Sequence, residues 1–274
     1  MQDKYVGDIG DFGKYALLKT LCGQTETRDR LSLGVVWYRT FFPDEKSDDG
    51  KHTRYLLNPG PRDIRELKAC DPDLYDALFG IVDGKRRAVR AIREQRILAH
   101  GTVYHEDLLS FDEMPFSGKR ARDARLAHRQ EWLDSAVKAT RDCAVVFLDP
   151  DNGLEVKSCP RYGKRGPKYV FFSELTPFVE GGKSVIIYQH IDHSQPAKEQ
   201  VKRRLSQLKD RFVGCAIPFG LLFHRGTARA FLVIPSSHHA DTLIDRATRF
   251  LSGRWGELGH FDQDVISLGS SSIR

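Results

Sequence analysis

Short apolar runs separated by amphipathic stretches set the pattern of this chain. Leu33-Gly34-Val35-Val36-Trp37-Tyr38, Ala144-Val145-Val146-Phe147-Leu148 and Ser184-Val185-Ile186-Ile187-Tyr188 are rich in β-branched and aromatic residues. The second run has no polar alternation, which predicts a strand buried on both faces, as at the centre of a parallel sheet. Residues 102–105 predict a shorter strand, and 220–224 with 228–234, joined by Arg225-Gly226-Thr227, predict a closing hairpin.

The stretches between these runs repeat at helical spacing. Tyr15, Leu18 and Leu21 share one face of a short helix that follows a glycine-rich entry loop. Helices are predicted at 72–79 and 85–95, around Trp132, Leu133, Ala136 and Val137, and partly within 169–179. Pro196 suits the first turn of a helix to 212, striped by Val201, Leu205, Leu208 and Phe212, and a last helix covers 239–251. Strands alternating with helices predict an α/β fold: three-layer, Rossmann-like, with a mostly parallel sheet and a C-terminal antiparallel hairpin. The expected organisation is one α/β domain over 1–274, with an N-terminal Gly/Asp-rich loop-helix extension.

Composition adds bounds to this picture. The 274 residues carry 43 Lys and Arg against 37 Asp and Glu, a net +6, and 40% hydrophobic residues place the chain among packed globular proteins. There is no apolar run of the roughly 20 residues a membrane span needs. An opening that includes Asp3, Lys4, Asp8 and Asp11 lacks a signal-peptide pattern, so the expected location is cytoplasmic. The five scattered cysteines form no C-x-x-C pair and read as free thiols rather than disulfide or zinc ligands.

In open α/β sheets ligands bind beyond the carboxyl ends of strands, so polar residues placed there are the first candidates. Asp149-Pro150-Asp151-Asn152-Gly153-Leu154-Glu155 follows the most apolar strand, with oxygens able to accept from an amine or bind a divalent cation. The same Pro, Asp, Asn and Gly also suit a plain tight turn. Asp107 follows the 102–105 strand and could hold a ribose or adenine, or simply cap a helix. His190 follows the third strand as a candidate base or ligand. Near the N-terminus, Gly7, Gly10 and Gly13 alternate with acids ahead of Lys14, which suggests a cofactor-binding loop through Gly10, Asp11 and Lys14, although the Walker spacing is absent. Basic clusters at 119–129, 161–168 and 198–204 suit a phosphate backbone, making a nucleic acid or nucleotide the expected partner.

From the strand before Asp149 onward, the chain resembles Rossmann-type S-adenosylmethionine-dependent methyltransferases. In that family a strand carrying the reactive tetrapeptide is followed by a helix, another strand and an antiparallel hairpin. Asp149-Pro150-Asp151-Asn152 is similar to the Asp-Pro-Pro-Tyr motif of amino-methylating nucleic-acid enzymes and three-Cys-motif partner proteins. The resemblance implies methyl transfer to an exocyclic amine held by Asp149 and the Pro150 carbonyl, with Asp107 on the cofactor's adenine. Here Asp151 and Asn152 replace the second Pro and the Tyr, and no glycine follows the Gly34–Tyr38 run at 39–43. The same segment is similar to the Asp-x-Asp motif of haloacid-dehalogenase-like phosphohydrolases. That alternative implies magnesium or manganese on Asp149, Asp151 and Glu155, and Glu155-Val156-Lys157 has the Glu-x-Lys form of restriction-type nucleases. A non-catalytic nucleic-acid-binding module is the remaining class.

Overall fold

The computed structural model describes residues 2–23, 30–40, 50 and 52–268. Helix α1 (Ile9–Cys22) precedes strand β1 (Leu33–Trp37). Four helices, α2 (Arg54–Leu57), α3 (Pro61–Asp63), α4 (Pro72–Asp83) and α5 (Val89–Glu94), lead to β2 (Val103–His105). Then come α6 (Gly118–Ala139), β3 (Val145–Asp149), the two-residue strands β4 (Gly153–Leu154) and β5 (Tyr169–Val170), α7 (Phe172–Glu180) and β6 (Ser184–His190). The chain continues through α8 (Ala197–Arg211), β7 (Phe219–Phe223), β8 (Arg229–Ile234), α9 (Ala240–Ser252), α10 (Arg254–Glu257) and β9 (Ile266–Ser267).

Seven strands form one mixed sheet in the order β2-β1-β3-β6-β8-β7-β9. β2, β1, β3 and β6 run parallel, and β8 lies antiparallel between β6 and β7. This is the expected α/β architecture, with the hairpin's second strand, rather than its first, docked on the parallel part. Alternate residues of each central strand feed two cores. Val35, Trp37, Val145, Phe147 and Ile186 face α1, α4 and α9, while Val36, Val146, Leu148, Val185 and Ile187 face α6, α7 and α8. Burial on both sides explains the unbroken apolar runs.

Several local expectations change. The N-terminal glycines do not form an entry loop: α1 begins at Ile9, with Asp8 as N-cap accepting from the Gly10 amide at 2.8 Å. Gly10, Asp11, Gly13 and Lys14 therefore lie in its first turns. A Cβ on Gly10 would fall 1.3 Å from Arg229 Nη1, so close packing, rather than a bound ligand, accounts for that glycine. The basic cluster at 119–129 opens α6, where Lys119 and Arg120 are exposed but Arg125 and Arg129 are buried. The run from Pro43 to His52, whose polar composition predicts a loop, falls mostly outside the described residues. Among the described residues no helix is long and apolar enough to cross a membrane.

Candidate active site beyond the central strand

The chain passes from β1 to β2 on one side and then crosses to β3 on the other, so the topological switch point lies between the carboxyl ends of β1 and β3. Trp37 and Asp149 are register partners there. A cavity of about 240 Å³ opens at this edge. Its walls are the 149–152 segment, the start of α1, the end of β6 and the start of β8.

Of the residues singled out from sequence, Gly10, Asp11, Lys14, Asp149, Pro150, Asp151, Asn152 and His190 all line this cavity, although 10–14 and 149–152 lie more than 130 positions apart. Two do not. Asp107 is largely exposed and gives its carboxylate to the Ser135 hydroxyl at 3.0 Å and to His105 Nε2 at 3.2 Å. Glu155 turns away, accepting from the Phe172 amide at 3.0 Å. The trio expected to hold magnesium or manganese is therefore not assembled, and among the described residues no group of three His, Cys, Asp or Glu could hold a metal ion.

The cavity floor is a buried ion cluster. Lys14 Nζ lies 2.7 Å from Asp11 Oδ1 and 2.8 Å from Asp149 Oδ2. Burial alone would lower the lysine's affinity for its proton, but the two carboxylates outweigh it and hold Lys14 firmly charged. Burial pushes the Asp11 carboxyl up to about 6, against the pull of Lys14. Asp11 also accepts from the Gly7 amide at 3.1 Å.

Asp151 forms a second anionic point. Burial acts to raise its carboxyl, yet hydrogen bonding from Gln2 at 2.8 Å and the Lys168 ammonium at 4.0 Å help hold it below the usual carboxylate range. Thr40, just past β1, donates to the same oxygen at 3.4 Å. Lys168 comes near because the β4–β5 ladder folds the 155–168 loop back, and the Asn152 amide donates to the Lys168 carbonyl at 3.0 Å. That turn needs Gly153: its φ is +104°, and a Cβ would meet the Gln189 amide at 2.5 Å.

Tyr5 and Asp8, from the same N-terminal stretch, also line the walls, and so do His52, Tyr188, Thr227 and Arg229, which the sequence did not single out. Arg229 is buried, bridging Asp8 at 3.4 Å and Thr227 at 2.8 Å. Its position as the first residue of β8 gave a signal, a charged residue opening an apolar strand. No family model matches the chain, and no curated protein matches its sequence.

Proposed function

We propose that the chain is an enzyme acting on an amine-bearing nucleobase of a nucleotide or nucleic acid, bound in the cavity beyond β3. The observation that carries this reading is the buried Asp11–Lys14–Asp149 cluster at the switch point. A carboxylate in a nearly dry site that already accepts an N–H donor is suited to accept another from an exocyclic amine, having about four lone-pair sites. Asp151 and Asn152 add acceptors along the same wall. Asp11 changes protonation near pH 6, so it is a group able to move a proton close to neutrality, while Lys14 stabilises negative charge that develops on the ligand.

The residues that the resemblance assigns to S-adenosylmethionine are not gathered as an open cofactor loop around this cavity. Asp107, which the resemblance places on its adenine, lies outside the cavity and is committed to Ser135 and His105. Gly10, Asp11 and Lys14 belong to a packed helix start instead of an open loop. One observation favours a second reading, in which the same amine accepts a methyl group: Asp149-Pro150 ends a central strand and is followed by a helix, a strand and an antiparallel hairpin.

Titration calorimetry tests both. Adenosine and cytidine 5′-monophosphates should bind at least about tenfold more tightly than the inosine and uridine 5′-monophosphates, whose carbonyls would face carboxylates. Equal binding of all four, or of none, rejects the amine reading. Heat on mixing with S-adenosylmethionine, kept in Asp149→Asn, would instead favour methyl transfer.

A further inference from the structure

The basic clusters read separately from the sequence meet in space. Arg125, on α6, donates through Nε to the Tyr162 carbonyl at 2.8 Å, and Arg161 donates to the Gln130 side chain at 3.2 Å. The Arg122 guanidinium stands over the Tyr162 ring at 5.5 Å. Arg129, fully buried, pairs with Glu174 at 2.5 Å and donates to the Tyr169 carbonyl at 2.6 Å. These contacts bind the first half of α6 to the 156–168 loop as one face.

The loop is itself a chain of tight turns. The Gly163, Gly166 and Lys168 amides donate to the Pro160, Gly163 and Arg165 carbonyls at 2.8, 2.8 and 3.0 Å. Residues 118–130 and 156–168 hold ten Lys and Arg against one Asp, a net +9. Arg125 and Arg129 among them are buried, Arg129 in its pair with Glu174, so eight cations against Asp123 remain for the face, a net +7 beside the +6 of the whole chain. Lys119, Arg120, Lys157, Lys164 and Arg165 on it are exposed. The face runs into the cavity, because Lys168 closes the loop and lines the cavity beside Asp151.

We infer that this face is a track for the phosphodiester backbone of a single-stranded nucleic acid, which delivers one unstacked base into the cavity. The inference rests on the nucleobase reading of that cavity and adds that the natural substrate is a polymer. Three observations favour a single strand over a duplex. A cavity of about 240 Å³ admits one base out of its stack. Phe116 stands 44% exposed at the edge of the face, with the Arg125 guanidinium 4.6 Å from its ring centroid, and Tyr162 lies between the basic residues. Aromatic rings among cations are what successive bases stack on in strand-binding grooves.

Fluorescence anisotropy of labelled oligothymidine and oligouridine, each of about 16 nucleotides, measures the track in a salt titration. The wild-type protein should bind at least one of them. The Arg120→Glu/Lys164→Glu/Arg165→Glu variant should lose at least about tenfold in affinity, with a salt slope shallower by about 2–3. Lys85→Glu/Arg86→Glu, an exposed basic pair beyond α4, should stay within about twofold of wild type, and thermal unfolding should show both variants folded. Equal losses in the two variants, no loss in the triple variant, or tighter binding of a duplex of the same length overturns the track. Mononucleotide calorimetry separates the two levels. Oligonucleotide binding that the triple variant loses, without mononucleotide binding, rejects the cavity reading and keeps the track; mononucleotide binding without strand binding does the reverse.

Discussion

Replacing Lys14 by Met removes a cation that lies between Asp11 and Asp149 and is bonded to both, in a side chain of similar length. Breaking a buried ion pair from one side costs about 3–5 kcal/mol, because a charge is left without its counterion. Here two carboxylates are left. The proton equilibrium of Asp11 sets how the loss depends on pH. Its carboxyl sits at about 6 in the folded protein against 3.8 for the free group, so folding favours the protonated form, an effect worth about 3 kcal/mol. That contribution is complete below pH 3.8 and is lost as pH rises through about 6. Without Lys14 the carboxyl rises further and the window widens upward. Urea unfolding followed by the fluorescence of Trp37, Trp132 and Trp255 should therefore show Lys14→Met destabilised by about 3–5 kcal/mol near pH 8 and by about 1–2 kcal/mol near pH 5. Adding Asp11→Asn should restore at least half of the loss near pH 8. An equal loss at both pH values, or one under about 1 kcal/mol near pH 8, would refute the assignment of Asp11 and Lys14 as a coupled buried pair.

Three further outcomes follow from the same structure. Gly10→Ala drives a methyl group into the Arg229 guanidinium, so it should destabilise by at least about 2 kcal/mol in thermal or urea unfolding, whereas Gly80→Ala, within α4 and with nothing near its added methyl, should cost nothing. Arg129→Met removes the main counterion of the buried Glu174, whose carboxyl is held below the usual range against burial by Arg129 and the Phe171 amide, and leaves it only Arg161 at 3.2 Å among the described cations; a loss of about 3–5 kcal/mol is expected, partly reversed by adding Glu174→Gln. Asp107→Asn should leave adenosine 5′-monophosphate binding within about twofold in calorimetry, because the side chain lies outside the cavity.

The fold was legible where the chain is most uniform. Runs such as 144–148 and 184–188 owe their composition to burial between two helical layers, and no local feature competes with that signal. The site was half legible. Asp149 to Asn152 and His190 could be found because they directly follow buried strands. Asp11 and Lys14 were picked out for their glycines, which in fact accommodate Arg229 and Phe223, so the right residues were found for a different physical reason. Arg229 was missed as a site residue because only the β8 insertion brings it to the cavity, whereas Lys168, legible as the end of the 161–168 basic cluster, reaches it through the β4–β5 ladder. Asp107 shows the converse: its position after a strand satisfies the general rule, yet β2 is the edge strand, outside the β1/β3 switch point, and the carboxylate finds Ser135 instead. The basic face illustrates the same limit, since α6 and the 156–168 loop carry similar charge in sequence but become one surface only through Arg125, Arg161 and Tyr162.

The central claim is that Asp149 reads an exocyclic amine. Calorimetry of Asp149→Asn against adenosine and inosine 5′-monophosphates tests it most directly, because the substitution keeps the shape of the side chain and exchanges one acceptor oxygen for a donor amide. The account predicts that the wild-type preference for the adenosine nucleotide, about tenfold, disappears or reverses in the variant. An unchanged preference in a folded Asp149→Asn protein would contradict it.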